Sequence, residues 1–234
     1  MPMPLMRYVA WAIFSFWTAL VCGCAPVSLW DAHTMSTPRP PPSDVAALAH
    51  GPVAMLGPLA PSSLQGFSPF LSHALLTAFA QASPPLPGHP LPTTVSALNE
   101  HGLAAEYAEL LAGFVRSGIL ERERLRRIGA ALGTRYVLVP GLAEFNEALV
   151  DKFEYLGLKL FRTRVTTLRL WLQLWDAQRG QMLWEAAGEI TVASDLFRAQ
   201  RTVALDEIAQ RLWLRLLQEH LLEGRTRFRL FFRE

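Results

Sequence analysis

The segment Val165-Thr166-Thr167-Leu168-Arg169-Leu170-Trp171-Leu172-Gln173-Leu174-Trp175-Asp176 decides the fold. Leu168, Leu170, Leu172 and Leu174 alternate with Arg169, Trp171, Gln173 and Trp175. Successive strand residues point to opposite faces, so this period of two specifies a strand with a leucine core face and a mixed aromatic and polar face. Asp176-Ala177-Gln178-Arg179-Gly180 reads as a turn, with Asp176 as a turn residue and Gly180 at a position of positive φ. Gln181 to Val192 then returns as a second strand, with Met182, Trp184, Ala186, Ile190 and Val192 expected on one face.

Upstream, Arg135 to Phe145 is a further strand. Its continuous apolar start places it centrally in a sheet, and Pro140-Gly141 points to a bulge or to the strand's exit. Val53-Ala54-Met55-Leu56, bounded by Pro52 and Gly57-Pro58, reads as a first buried strand. Helices are expected between them. One starts at Ser68-Pro69, carries Phe70, Leu71, Leu75, Ala78 and Phe79 on its face and stops at Ser83-Pro84-Pro85. Three more follow, over Thr94–His101, Ala104–Arg116 and Glu121–Leu132, the last capped by Gly133. The charged run Glu121 to Arg127 reads as a solvated helix face. A final helix, capped by Ser194-Asp195, is expected to reach about Leu222 with Ile208, Leu212, Leu216 and Leu221 buried and Glu207 paired to Arg211. This order gives an α/β fold with a single mixed sheet and flanking helices.

Two segments resemble bacterial envelope lipoproteins. Ile128-Gly129-Ala130-Ala131-Leu132-Gly133-Thr134-Arg135-Tyr136-Val137-Leu138-Val139-Pro140-Gly141 is similar to their helix and Leu-Gly-x-x-Tyr-Val-Leu-x-Gly signature, and Asp176 to Trp184 to their Asp-x-x-x-Gly-x-x-x-Trp hairpin. The superfamily holds the curli-assembly lipoprotein CsgG, the penicillin-binding-protein activator LpoB and the N-terminal domain of TolB. The resemblance implies an anticodon-binding-domain-like sheet over roughly residues 51–222. It also frames an alternative function, a subunit of an oligomeric secretion pore of the curli-assembly type. The insertion Asn146 to Arg164 supplies barely one short hairpin, whereas each spanning strand needs ~9–11 residues.

The N-terminus gives compartment and anchor. Arg7 and the apolar run Tyr8 to Val21 have the form of a secretory signal, too short for a spanning helix. Val21-Cys22-Gly23-Cys24 resembles a lipobox, with Cys24 as the lipidated residue, palmitate among its acyl chains. Ala25 in the next position, by resemblance to sorted lipoproteins, implies the periplasmic face of an outer membrane. The sequence has 2 cysteines, and loss of Cys22 with the signal leaves no disulfide to form. The reading divides the chain into signal peptide 1–23, lipidated N-terminus and Pro-rich linker 24–50, α/β domain 51–224 and a basic-aromatic tail 225–234. Thr37-Pro38-Arg39-Pro40-Pro41-Pro42 favours an extended linker, with a reach of at most ~80 Å at ~3.1 Å per residue.

Hydrophobic residues make up 51% and charged residues 18% of the chain, which is a globular composition. A net charge of +2 speaks against nucleic acid as a partner. Nucleophile-elbow, phosphate-loop, dinucleotide and zinc-protease motifs are absent, and the histidines are scattered, so no enzyme, cofactor or metal is expected. Glu100-His101 and Glu219-His220 read as surface pairs. The expected function is that of a non-catalytic accessory or assembly lipoprotein. It would be bound to the membrane through Cys24 and docked on another periplasmic or envelope protein, with self-association left open. The candidate docking residues are Arg169, Trp171, Gln173 and Trp175 on the mixed strand face, and Arg227 and Arg229 in the tail.

Overall fold

The computed structural model of the chain describes residues 29–155, 158–195 and 204–224. The expected signal peptide, Cys24 and the tail with Arg227 and Arg229 lie outside the described residues. The elements run β1 (Leu29–Ser36), α1 (Pro42–His50), β2 (Val53–Met55), α2 (Ser68–Gln81), β3 (Gly88–His89), α3 (Leu91–Glu100), α4 (Ala104–Ser117) and α5 (Arg122–Ala131). Then come β4 (Tyr136–Tyr155), β5 (Leu158–Asp176), β6 (Gln181–Asp195) and α6 (Leu205–Arg215), which continues as a π-turn over Leu216–Leu222. The strands form one mixed sheet in the order β1-β6-β5-β4-β2-β3. Pairing is antiparallel from β1 through β4 and parallel across β4, β2 and β3.

Leu168, Leu170, Leu172 and Leu174 are buried on the first face, as the alternation requires. Helices α2 and α6 cover them with Leu71, Leu75, Phe79, Ile208, Leu212 and Trp213. The second face is covered over β2, β4 and the end of β5 by α3, α4 and α5, through Leu98, Leu110, Phe114, Leu125 and Ile128. Strand β2 is therefore buried on both sides. Val53 and Met55 enter one core, Ala54 and Leu56 the other.

Several expectations are corrected. The expected linker 24–50 contains two ordered elements. In β1, Trp30 and Ala32 pack on the first core, and the Arg211 guanidinium lies 4.0 Å from the Trp30 ring centre. In α1, the prolines supply the pre-set φ of a helix start, Val45 and Leu48 are buried, and Asp44 accepts a hydrogen bond from Tyr136 Oη at 3.0 Å. Phe70 is exposed because it stands one helical step off the Leu71, Leu75, Ala78 stripe. Met182 leaves the Trp184 face because the β5–β6 register shifts between Leu174 and Trp175. Ser194-Asp195 ends β6, and α6 starts only after Ala204.

The charged face of α5 forms specific pairs. Arg124 bonds Glu109 at 2.6 Å and Arg127 bonds Glu106 at 3.0 Å, tying α5 to α4. Glu121 caps α5 by accepting from the Glu123 and Arg124 amides, and these hydrogen bonds hold its carboxyl below the ordinary value. Pro140 lies where β4 has passed the end of β2. Its carbonyl still accepts from the Leu59 amide at 3.0 Å.

Candidate docking surface

The second face is two-sided in character. Its β2–β4 half is roofed by helices, while its β6–β1 half carries no helix among the described residues. Cross-strand register sets the rows of this open half. Glu144, Arg169, Glu189 and His33 stand opposite one another across β4, β5, β6 and β1. Arg169 donates to Glu144 at 2.6 Å and to Glu189. The Glu189 bond is the main reason that the guanidinium is held still more firmly charged. The neighbouring row is Asn146, Thr167, Thr191 and Asp31. Thr167 and Thr191 share a hydroxyl hydrogen bond at 3.3 Å, and Asp31 lies 3.1 Å from His33 Nε2.

On the other side of the Arg169 row the chemistry changes. Gly141, Trp171, Ala187 and Met35 form an apolar row. The Trp171 ring stacks on Phe114 at 5.8 Å and 22°, and Met35 is 57% exposed. A Cβ on Gly141 would lie 1.9 Å from the indole, so the absent side chain makes room for the ring. Beyond it, Trp175 Nε1 donates to Gln173 Oε1 at 3.0 Å and Gln173 Nε2 to Glu185 at 2.9 Å. The arrangement is an apolar strip between two internally satisfied polar rows.

The four expected strand residues thus separate. Arg169 is exposed and Trp171 half-buried, at the edge of the open surface. Gln173 and Trp175 are buried, at 8% and 5% exposure, because α3 to α5 roof that end; as residues that a partner could touch, they are corrected. Glu144, Glu189, His33 and Met35 were missed. Glu189 and His33 were findable in principle, since Trp30 to His33 alternates apolar and polar residues, as Glu189 to Val192 does, whereas Met35 breaks the alternation.

A second cluster lies at the far end of the sheet. Asp176 is fully buried and accepts from Arg135 Nε at 2.9 Å and from the amides of Gln178 and Arg179 at 2.9 and 3.0 Å. Burial works against its charge, but Arg135 and these amides outweigh burial and hold the carboxyl below its ordinary value. This is the geometry of a turn lock, in keeping with the expected turn role. Gly180 closes the same turn at φ +66°. His220 is buried, not a surface residue, with Nδ1 3.1 Å from Ser36 Oγ, whereas His101 is exposed and its Nδ1 lies 2.8 Å from the Ala97 carbonyl oxygen. Among the described residues no cluster of His, Cys, Asp and Glu could hold a metal ion.

No protein-family model matches the sequence, and no curated protein matches it. Among solved structures it is similar to a point variant of the PelC dodecamer from Paraburkholderia phytofirmans, at 14% identity and TM-score 0.44, over 81% of this chain and 96% of that one. A second crystal form of the PelC dodecamer matches at 16% identity and TM-score 0.40, over 80% and 95%. Lipoprotein GNA1162 from Neisseria meningitidis matches at 15% identity and TM-score 0.38, over 64% and 87%.

Proposed function

We propose that the chain is a non-catalytic envelope lipoprotein, held by lipid on Cys24 at the periplasmic face of an outer membrane, that docks another envelope protein. The observation that carries the docking role is the open half-face of the sheet. Its apolar row of Trp171, Ala187 and Met35 offers a flat anchor. The flanking Glu144–Arg169–Glu189 network is already internally hydrogen-bonded, so covering it leaves few orphaned groups. An aromatic residue braced by Phe114 and rimmed by polar groups has the character of an interface hot spot. The lipobox-like Val21-Cys22-Gly23-Cys24 supports the anchor. The best-organised ionisable groups, Asp44, Arg135 and Asp176, are engaged in holding α1 and a turn, which supports a binding role over a catalytic one.

The test is a photo-crosslinking residue in the full chain at Met35, with Gln178 at the far turn as comparator. It is paired with membrane fractionation and intact-mass measurement of the wild type and of Cys24→Ala. One discrete adduct from Met35, lost in Arg169→Glu and absent from Gln178, is the expected result. Identical adducts from both positions would remove the docking surface, and a wild type without a lipid mass would remove the anchor. The second reading, a subunit of an oligomeric secretion pore, takes its support from the β4–β5 hairpin that outruns β6, although its free arms are too short to cross a bilayer on their own. Ring-shaped oligomers in detergent would support it, and a monomeric sedimentation profile would sink it.

A further inference from the structure

Register places two distant parts of the sequence at one end of the sheet. Leu29, the first residue of β1, pairs with Ala193, which pairs with Val165, which pairs with Ala148. The β4–β5 hairpin does not stop at this row. It runs on for seven residues in each arm, to the pair Tyr155 and Leu158, an overhang of ~23 Å at ~3.3 Å per residue. Cys24 precedes Leu29 by five residues, a tether of at most ~18 Å. The overhang is longer than the tether. With the strands upright on a membrane that holds Cys24, the hairpin end therefore meets the same bilayer.

The sequence of that end suits the encounter. The last β5–β6 pair is Thr163 with Asp195. Beyond it the arms Asp151-Lys152-Phe153-Glu154-Tyr155 and Leu158-Lys159-Leu160-Phe161-Arg162 form a ribbon of two strands only, among the described residues. An isolated two-stranded ribbon is marginal in water. Half of its residues are aromatic or leucine and half are charged, three basic (Lys152, Lys159, Arg162) and two acidic (Asp151, Glu154), and the aromatic residues with the long basic ones suit the headgroup boundary. At its base Leu149 and Val150 are 56% and 43% exposed. Five residues per arm fall short of the ~9–11 that cross a bilayer, and the ribbon's unpaired edges would carry bare amides into hydrocarbon.

We propose that the outer end of the β4–β5 hairpin is a second membrane contact, resting in the headgroup region of the phospholipid leaflet that holds Cys24. The proposal rests on the anchor reading, and its test separates the two. The full lipoprotein is reconstituted in phosphatidylethanolamine–phosphatidylglycerol vesicles with an environment-sensitive dye on Tyr155→Cys, or on its register partner Leu158→Cys. Gln178→Cys, in the far-end turn, is the comparator. Acylated Cys24 leaves no competing thiol in the mature chain. Emission from 155 and 158 should be blue-shifted, and quenched by spin-labelled lipid several-fold more than emission from 178. Equal, water-like signals with a lipid mass on Cys24 overturn the hairpin contact and leave the anchor standing. A blue shift without lipid quenching assigns the ribbon to a protein surface and also overturns it. If Cys24 carries no lipid, the anchor reading fails, and the same quenching, with vesicles added to the labelled chain, decides the contact by its presence or absence.

Discussion

Gly141 and Trp171 are one unit at the residue scale. The ring occupies the space where any side chain at 141 would go, so Gly141→Ala should cost about 1–3 kcal/mol by overpacking and should shift the emission of the Trp171 indole. Combined with Trp171→Leu, the penalty should shrink by ~1 kcal/mol or more, a coupling that denaturant midpoints of the two single variants and the double variant would measure. Additive effects would show that the close approach is not the cause. Asp176 sets a pH-dependent contribution. Its carboxyl is held below its ordinary value, so its stabilisation is complete above the unfolded-state value of ~3.9 and is lost as pH falls through the lower folded-state value. Asp176→Asn should cost about 1.5–3 kcal/mol at pH 7 by weakening a charged hydrogen bond. The gap to wild type should narrow below about pH 4. An equal gap at pH 7 and pH 3, by urea midpoint, would contradict the assignment.

At the scale of elements, β1 is the decisive one. It covers one edge of β6 and packs Trp30 beneath Arg211. A chain begun at Gly51, where the sequence places the domain boundary, should lose that cover and expose β6 as a sticky edge. Compared with a chain begun at Ala25, it should melt at least several degrees lower or aggregate on expression, and calorimetry with light scattering would show either. Equal melting of the two would make β1 and α1 accessory to the fold. The helices were more legible. The stripe Leu71, Leu75, Ala78, the glycine at 133 with φ +62° past the end of α5 and the stripe Ile208, Leu212, Leu216, Leu221 are local signals that tertiary packing reinforces. In α1 the local signal is divided, because Pro38 and Pro40 to Pro42 suit an extended linker as well as they suit a helix start.

Among the described residues the sheet has its leucine face covered by α2 and α6 and its other face roofed only over β2, β4 and the end of β5. Hydrogen exchange should be slowest in Tyr136–Leu142 of β4 and Trp171–Trp175 of β5, which lie between both cores, and faster in β1 and β3 at the edges. A slowest amide in β1 would mean that the open half is covered in solution. The hairpin Val165–Val192 and the α/β class could be read from the sequence because a period of two is written into neighbouring residues. Which half of the mixed face stays open could not. The burial of Trp175 and Gln173 depends on where α3, α4 and α5, encoded about 40 to 80 positions earlier, come to rest. Alternation tells a residue its face but not its roof, and this is why a docking surface drawn from β5 alone mixes Arg169, which is exposed, with Trp175, which is not.

The position of β1 also has a mechanical meaning. If Cys24 carries a lipid, a tug from the membrane reaches the described fold at Leu29, the first residue of a strand paired with β6 over eight residues. Pulled lengthwise, that ladder is loaded in shear, and its pairs resist together. Pulled sideways, it would open one pair at a time. An anchor at Cys24 would thus be spliced into an edge strand, and a pull along that strand would load all eight of its pairs at once.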